Sequence, residues 1–271
     1  MDRAYLSISA VDVPAASDNH LFGALAQKLP FAVEPTQSAA WQYQIRHLRE
    51  LATMLPGAHF FMEFLIPRMG RRVDLIVIFG GAVFVVEYKI GARHFARGDL
   101  DQVYGYGLDL KHFHDTSHAR PIVPILVATE ANTPGAQVPV WDRDGLAKPV
   151  KACSAQLAAL IERVAADLGA PELDPLVWVT GRYRPTPTIV EAAQALYRGH
   201  DVEEIARSEA GAENLTRTAD YVAKAIETAK HGQQKLICFI TGVPGSGKTL
   251  AGLNLATARQ RAHAEEHAVF L

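Results

Sequence analysis

Three charged residues interrupt two neighbouring apolar runs of the chain. Asp74 lies in the first run, and Glu87 and Lys89 lie at the end of the second. Side chains two residues apart on a strand point to the same face, so Glu87 and Lys89 face the same way. A hairpin that turns at Gly80-Gly81 would bring Asp74 beside them. Burying three charges at the edge of an apolar sheet is costly, which favours a functional role.

These residue types in this arrangement favour metal-dependent chemistry. Mg²⁺, or Mn²⁺ in its place, binds one or two carboxylates and keeps several waters, so Asp74 and Glu87 are candidate metal ligands. Lys89 would position or deprotonate an attacking water, or offset negative charge that develops on a phosphoryl group. A structural ion pair of Lys89 with Glu87 or with Asp74 explains the same residue types, and the residue types alone leave both interpretations open.

A second motif, Gly242-Val243-Pro244-Gly245-Ser246-Gly247-Lys248-Thr249, has the spacing of a phosphate-binding loop. The N–H groups of its glycine-rich turn converge on phosphates, and the following helix N-terminus adds the positive end of its dipole. Lys248 would reach the β- and γ-phosphates, and the Thr249 hydroxyl would ligate Mg²⁺. The motif therefore predicts a site for ATP with Mg²⁺, formed by Gly242, Gly245, Ser246, Gly247, Lys248 and Thr249.

Only 22 residues follow Thr249. A nucleotide hydrolase also needs a later acidic residue for the Mg²⁺ and a group that orients the attacking water. We therefore expect the nucleotide-binding domain to be incomplete and the chain to be the N-terminal part of a longer protein. This part alone is expected not to turn over ATP.

The apolar patterns that must position both motifs predict an α/β fold. The first part is predicted as a helix at 38–55, strands at 60–66, 71–79 and 82–90, a helix at 100–114, a strand at 122–129, a helix at 150–168 and a strand at 176–180. The second part is predicted as a helix at 216–230, a strand at 235–241, a helix at 249–263 and the start of a strand at 268–271. The domain organisation that we expect is an irregular segment at 1–35, a first domain at 36–182, a helical connector at 183–215 and a second domain at 216–271.

Asp74, followed by Glu87-x-Lys89 at the end of the next strand, resembles the signature of the PD-(D/E)xK nucleases. The predicted order of helix, three strands, helix and strand resembles the restriction-endonuclease-like core of that superfamily. Gln102 and Tyr106 resemble the Q-x₃-Y pattern of its RecB-like branch, and this spacing places both side chains on one helical face. The resemblance covers residues 38–130. It implies a Mg²⁺-dependent nuclease in which Gln102 and Tyr106 are site residues that help to place nucleic acid at the metal.

The chain departs from that signature at two points. Val73 stands where the family has a proline before the first aspartate. Many members also carry an acid on the first helix. In this chain Gln44 lies near that place, Glu50 is the only acid of the helix, and Glu63 on the first predicted strand is a candidate substitute.

The chain as a whole resembles the bacterial DUF2075 proteins, also described as Schlafen-group-3-like DNA/RNA helicases. The resemblance rests on a nuclease-like part followed by the phosphate-binding loop, and on the stretches 86–92, 125–129 and 183–188. It implies a superfamily 1 helicase motor beyond residue 271, with DNA or RNA and ATP as partners. The favoured function is a Mg²⁺-dependent nuclease fused to an ATP-driven helicase or translocase. The alternative is a catalytically idle nucleic-acid-binding module that loads such a motor.

Composition narrows the classes of protein to consider. The chain has 27 Lys and Arg against 29 Asp and Glu, so its net charge of −2 gives no global attraction to nucleic acid or to membranes. Its two cysteines, far apart in sequence, favour a reducing cytoplasm over a disulfide-rich secreted class. The longest apolar runs have strand length, so a membrane-spanning segment is not expected.

Two weaker clusters allow more than one interpretation. His112, His114 and His118 could bind a transition metal, although a solvated helix end is the simpler explanation. A basic rim near the proposed metal site could hold phosphates or be ordinary surface charge. The rim consists of Arg68, Arg71, Arg72, Arg93, His94 and Arg97.

Overall fold

The computed structural model describes residues 3–29, 33–66, 71–132, 135, 137–183, 209–241 and 248–262. The chain divides into two compact units, Met1–Tyr183 and Arg184–Leu271. The first unit contains the sheet with the Asp74, Glu87 and Lys89 side chains. The second contains the helix that follows the phosphate-binding loop.

The first unit is built on one mixed sheet, which confirms the predicted α/β class. Its six strands lie in sequence order. They are β1 (Leu6–Ser9), β2 (His59–Ile66), β3 (Arg71–Phe79), β4 (Ala82–Lys89), β5 (Ile122–Ala128) and β6 (Val150–Ala152). The first four strands pair antiparallel, and β5 and β6 continue the sheet in parallel with β4. The carboxyl ends of the three parallel strands therefore lie at one edge of the sheet.

Helices cover both faces of this sheet. Those of the first unit are α1 (Asp18–Ala26), α2 (Pro35–Met54), α3 (Arg97–Phe113), α4 (Ser154–Leu168) and α5 (Pro175–Val179). One face packs against α1, α2 and α4 through a core that includes Trp41, Leu48 and Ile161. The other face packs against α3 and α5 through Val103, Leu110 and Trp178. The unit is thus a three-layer sandwich whose sheet is apolar on both sides, so its strands read as nearly continuous hydrophobic runs.

The regular alternation of side chains is interrupted where β2 and β3 pass the charged cluster. Met62 packs in the core under α2, whereas Phe64 packs in the core under α3, although two residues apart on a strand normally share a face. Glu63 between them has a φ of 51°, a left-handed conformation that is uncommon for a residue with a side chain. In this conformation Glu63 points toward α2, where it contacts Trp41 and Gln37, while the strand continues on the other face.

Several predicted elements are confirmed to within a few residues, including the hairpin of β3 and β4. The predicted strand at 176–180 is wrong, because this stretch forms helix α5. Asp174 accepts hydrogen bonds from the N–H groups of Leu176 and Val177, and Pro175 occupies the first helical position. Both features are start signals for a helix, and they override the β-branched residues that follow. The predicted helix at 150–168 is also shorter, because its first three residues pair with β5 as β6.

The first 35 residues are more regular than expected. Strand β1 pairs with β2, and Ser17 caps α1 by accepting a hydrogen bond from the N–H of His20. Leu21 and Leu25 of α1 are fully buried. The N-terminal segment is therefore part of the sandwich.

The second unit contains α6 (Glu209–His231) and α7 (Lys248–Ala262), which pack against each other. The strand predicted at 235–241 is not formed, and Ile237 and Phe239 in this stretch are exposed. A strand needs a neighbour for its N–H and C=O groups, and none of the described residues pairs with this stretch. The connector residues 184–208 and the predicted strand at 268–271 lie outside the described residues. Within the part that the structure describes, every helix is too short or too polar to cross a membrane.

Candidate functional site

The predicted side chains of β4 and α3 meet in one hydrogen-bonded network. The Lys89 ammonium donates to Glu87 Oε1 and to Gln102 Oε1, each at 3.0 Å. The Gln102 amide nitrogen donates to Glu87 Oε1 at 2.8 Å and to the Tyr106 hydroxyl at 2.8 Å. Gln102 therefore fixes the positions of the carboxylate, the ammonium and the phenol together. The i, i+4 spacing on α3 places Gln102 and Tyr106 side by side, as the sequence indicates.

Asp74 joins this group through the backbone of the neighbouring strand. Leu75 pairs with Val86, and continuing this register places Asp74 opposite Glu87. Asp74 Oδ2 accepts a hydrogen bond from the N–H of Tyr88 at 2.8 Å. A side chain thus replaces the strand-to-strand hydrogen bond at the point where β3 and β4 end their pairing. The hairpin brings Asp74, Glu87 and Lys89 to the same edge of the sheet.

Two buried acids lie close enough to affect each other. Burial raises the pKa of Asp74 well above its ordinary range, and the charge of Glu87 raises that pKa further. Burial also raises the pKa of Glu87, although Lys89 partly opposes the shift. Both shifts mean that the negative charges are held at an electrostatic cost. A cation at this position would reduce that cost directly.

Lys89 is held in its charged form. Burial lowers the pKa of Lys89, but the charges and hydrogen bonds of Glu87 and Asp99 outweigh burial, and the net pKa is raised. An ammonium with a raised pKa is a poor proton acceptor near neutral pH. Of the roles predicted from the sequence, positioning a water and offsetting negative charge therefore fit the geometry, and deprotonating a water does not.

The carboxylate oxygens of the site indicate whether it could hold a divalent cation. Glu87 is 5% exposed, and its Oε2 atom is buried without a hydrogen-bond partner among the described residues. A buried carboxylate oxygen is rarely left unpaired in proteins, because its desolvation is then not offset. Among the described residues, no group of three or more His, Cys, Asp and Glu side chains has a metal-binding arrangement. The charged part of the candidate site is thus an acid pair, Asp74 and Glu87, whose chemistry fits Mg²⁺ or Mn²⁺.

The third acid considered from the sequence, Glu63, is fully occupied by other partners. Its Oε1 atom accepts from Trp41 Nε1 at 2.7 Å and from the Gln37 amide at 3.1 Å. Its Oε2 atom accepts from Arg72 Nε at 2.8 Å. Glu63 thus anchors α2 to β2 and β3 and has a structural role. Glu50, the other acid considered, is exposed on α2.

Two residues of the network were missed in the sequence. Asp99 lies 3.4 Å from the Lys89 ammonium, and its position three residues before Gln102 on α3 is a signal that could have found it. His47 on α2 shares a hydrogen bond with the Tyr88 hydroxyl at 2.8 Å and donates one to the carbonyl of Ser154 at 3.0 Å. Nothing in the local sequence pattern distinguishes His47 from a surface histidine.

The His47 contacts determine which ring nitrogen carries the proton. The Ser154 carbonyl can only accept, so His47 Nε2 donates to it. Burial lowers the pKa of His47, which favours the neutral ring. Nδ1 then accepts from the Tyr88 hydroxyl. The Tyr88 hydroxyl is thus fixed on His47 of α2, which is itself held by Ser154 of α4, while the N–H of Tyr88 is fixed on Asp74.

The predicted phosphate-binding loop is described only in part. Gly242, Gly245, Ser246 and Gly247 lie outside the described residues. Lys248 and Thr249 form the first residues of α7, as predicted, with Thr249 exposed. The helix that should follow the loop is therefore present, whereas the strand that should precede the loop is not formed.

The weaker clusters have structural explanations. His114 is fully buried rather than solvated. Its Nδ1 atom contacts the Ser117 hydroxyl at 2.7 Å. Burial lowers the pKa of His114 to about 4. Three members of the basic rim are paired with acids. Arg72 pairs with Glu63, Arg93 with Glu130, and Arg97 with Asp101. Arg68 and the side chain of Arg71 lie outside the described part of the chain.

In comparisons with protein-family models, with curated proteins and with solved structures, nothing matches this chain.

Proposed function

We propose that the first unit is a divalent-metal-dependent phosphodiesterase that cleaves DNA or RNA. The observation that carries this proposal is the Glu87 Oε2 atom beside Asp74, which is buried and has no hydrogen-bond partner in the described part of the chain, with a charged Lys89 held on the same edge by Gln102. The resemblance to the PD-(D/E)xK nucleases supports the same assignment. Asp74 and Glu87 hold Mg²⁺ or Mn²⁺, which when bound offsets negative charge on the phosphoryl oxygens.

The protein's own residues have distinct roles in this proposal. Lys89 places a fixed positive charge next to the reacting phosphate and donates a hydrogen bond to the attacking water. Gln102 keeps the ammonium and the Glu87 carboxylate in register through its two hydrogen bonds. Tyr106, bound to the Gln102 amide, helps to place the nucleic acid.

The second candidate is a nucleic-acid-binding module without catalysis. The observation that favours it is the pairing of Lys89 with both Glu87 and Asp99, which satisfies the ammonium without a substrate. This pairing is the structural ion pair considered from the sequence. It predicts that the module binds nucleic acid equally well in EDTA and in Mn²⁺.

We also propose that the second unit binds ATP with Mg²⁺ at the loop preceding α7, in an intact protein that couples it to a helicase or translocase motor. The support is the eight-residue motif and the start of α7 at Lys248. Titration with a fluorescent ATP analogue tests this, because Lys248→Ala should abolish saturable binding. Unchanged binding by this variant would exclude the loop as the site.

The test of the first proposal is a cleavage assay with labelled single- and double-stranded DNA and RNA. Each substrate is incubated with the wild-type chain in EDTA, in Mg²⁺ and in Mn²⁺, and with Asp74→Asn, Glu87→Gln and Lys89→Met. We expect cleavage only with a divalent metal. The two carboxylate variants should lose both metal affinity and rate, whereas Lys89→Met should lose rate with a smaller effect on metal affinity.

The matched control is Asp142→Asn. Asp142 is an acid of the same unit whose partners are Lys148 at 2.7 Å and the Tyr104 hydroxyl at 2.8 Å. Its substitution should leave cleavage unchanged. Cleavage that persists in the three site variants would assign the activity to another protein or site. Metal-independent binding without cleavage of any substrate would favour the idle module.

A further inference from the structure

Lys151 lies on the same face of the sheet as the candidate site and in register with it. Glu87 of β4 pairs with Leu126 of β5, which pairs with Lys151 of β6. Val150 and Ala152, on either side of Lys151, pack in the core under α2 and α4. The Lys151 side chain therefore leaves the sheet on the α3 face, as Glu87 does. Two strand spacings of about 4.8 Å each separate the two residues by about 10 Å.

The Lys151 ammonium lies next to the loop that follows Lys89. Phe95 belongs to that loop, between the end of β4 and the start of α3. The Lys151 Nζ atom is 5.8 Å from the centre of the Phe95 ring, within the range of a cation–π contact. The contact therefore holds the ammonium near the edge of the sheet that carries Glu87 and Lys89. An aromatic ring orients a cation in this way without neutralising its charge.

A second lysine shows the difference between a neutralised charge and an available one. Lys148 also lies over an aromatic ring, that of Tyr104, at 4.9 Å. Its ammonium, however, pairs with Asp142 at 2.7 Å. None of the ion pairs among the described residues includes Lys151. Lys151 therefore keeps a positive charge that an anion from outside the chain can meet.

A hollow of about 180 Å³ opens beside Lys151, between β6 and α4. Its wall carries a second cation, Arg163, whose Nη2 atom donates to the carbonyl of Gln137. A carbonyl does not neutralise a guanidinium, and no acid in the described part of the chain forms an ion pair with Arg163. Gln156, also on the wall, precedes Arg163 by seven residues or about 10.5 Å, so the hollow runs along α4.

We propose that Lys151 and Arg163 bind phosphates of one strand of DNA or RNA, which passes from the cleavage site across β5 and β6 into this hollow. This inference rests on the proposed function of the first unit. At about 3.4 Å per nucleotide, three nucleotides of a stacked strand span the distance of about 10 Å between Glu87 and Lys151. Lys151 then binds the phosphate about three nucleotides from the scissile bond, and Arg163 binds one about three nucleotides further along.

The charge of the chain gives these two cations particular weight. With a net charge of −2, the chain has no global attraction to nucleic acid, so affinity depends on local cations. Arg72, Arg93 and Arg97 of the basic rim are already paired with acids. Each lysine or arginine that binds a phosphate releases counterions from the nucleic acid, which makes the affinity depend on salt. The salt dependence of binding therefore measures whether Lys151 and Arg163 take part.

The experiment measures binding and cleavage separately. Binding of short labelled single strands of DNA and RNA to the full chain is followed by fluorescence anisotropy in EDTA, from about 50 to about 200 mM salt. Cleavage of the same strands in Mn²⁺ gives KM and kcat. The variants are Lys151→Met, Arg163→Gln and the two combined. The matched control is Lys148→Met, which removes the same charge from a lysine that is neutralised by Asp142.

We expect the plot of log affinity against log salt to become shallower by about 0.7 for each of the two substitutions and by about 1.4 for both. Lys151→Met should raise KM at an unchanged kcat, because the contact binds the strand away from the reacting phosphate. Lys148→Met should match wild type in the slope, in KM and in kcat.

A wild-type slope and KM in both Lys151→Met and Arg163→Gln would overturn the inference and leave the proposed function intact. Equal losses in Lys148→Met would assign the effect to net charge and also overturn it. Reduced slopes in a chain that cleaves no strand would support the strand path and overturn the proposed cleavage. An absence of binding by the wild-type chain would overturn both. If Lys151→Met does not fold, Arg163→Gln, at an exposed position, decides by the same criteria.

Discussion

Asp74 and Glu87 hold protons more tightly in this protein than they do in water. The cause is their burial together, which raises the pKa of both. A cation that binds between them must displace whatever protons they hold, so metal binding and proton release are coupled. This coupling can be measured without any assumption about the substrate.

We predict that Mn²⁺ affinity rises with pH from about 5 to 8, by up to about tenfold per pH unit for each proton displaced. Calorimetric titrations in buffers of different ionisation enthalpy give the number of protons released. Asp74→Asn cannot hold the displaced proton, so it should release fewer protons at every pH while binding more weakly. Equal affinity across this pH range would show that the two carboxylates are already ionised in the metal-free protein.

His114 illustrates the opposite shift at a structural position. Its ring is fully buried against Trp178 at a centroid distance of 4.9 Å, and burial lowers its pKa from 6.5 to about 4. The folded protein therefore binds this proton less readily than the unfolded chain does. Stability contributed by the neutral ring is present above the unfolded pKa and is lost as the pH falls toward the folded pKa.

We predict that acidification from pH 7 to pH 5 costs about 2 kcal/mol of unfolding free energy through His114. Urea unfolding at the two pH values should show a smaller loss for His114→Gln than for wild type. His20→Gln, at an exposed position on α1, is the control and should keep the wild-type dependence. A slope that His114→Gln leaves unchanged would assign the acid sensitivity to other groups.

At the scale of elements, α3 must approach the sheet closely to bring Gln102 to Glu87. Gly107 makes this approach possible, because a Cβ atom there would lie 2.8 Å from Pro124 Cγ and 2.9 Å from Leu146 Cδ1. A Cβ atom at Gly105, two residues earlier, would meet nothing within 4 Å. The same helix thus carries one glycine that is required for packing, Gly107, and two that are not, Gly98 and Gly105.

We predict that Gly107→Ala lowers the unfolding free energy by about 1–3 kcal/mol through overpacking. Gly105→Ala should raise it by about 0.5–1 kcal/mol, because alanine is the better helix former. Chemical denaturation of both variants provides the comparison, with each serving as the control for the other. Equal effects of the two substitutions would mean that α3 can move away from β5.

The elements that the sequence predicts well are those fixed by local pattern. The hairpin of β3 and β4 follows from two apolar runs around Gly80-Gly81, and Gln102 and Tyr106 follow from helical spacing. Helix α5 was missed because the short apolar run at 176–180 fits a strand, and the helix start signals at Asp174 and Pro175 were not considered. Strand β6 was missed because three residues that pair only with a distant strand carry no local signal.

For the candidate site, the sequence indicates Asp74, Glu87, Lys89, Gln102 and Tyr106 but misses Asp99 of α3 and His47 of α2. Glu87 and Lys89 share a face by strand alternation, which is a local rule. His47 reaches the Tyr88 hydroxyl only because α2 crosses the sheet at that level. Its role depends on tertiary packing, which a sequence pattern does not contain.

At the scale of the whole molecule, the first unit has its own complete interior. Both of its hydrophobic cores are formed by residues that precede Tyr183. Trp178 of α5 is fully buried against Phe61 and Phe64, so the last helix of the unit closes the core under α3.

We predict that residues 1–183, produced alone, unfold in one cooperative transition with the same stabilisation by Mn²⁺ as the full chain. The melting temperature should lie within about 4 °C of the corresponding transition of the full chain, equivalent to about 1 kcal/mol. Residues 1–172, which lack α5, should be less stable by at least about 3 kcal/mol, because Trp178 is lost from the core. Non-cooperative melting of residues 1–183 would contradict the division into two units.

The buried acids also determine how the protein would change under selection. Without a cation, each of the two buried carboxylates lowers the free energy of unfolding. Substitution of either acid is therefore among the simplest routes to a more heat-tolerant chain. A library of random variants screened for heat tolerance in a chelator should accumulate substitutions at Asp74 and Glu87. The same library screened in Mn²⁺ should retain both acids. A site of this kind persists through generations only where the environment supplies its metal.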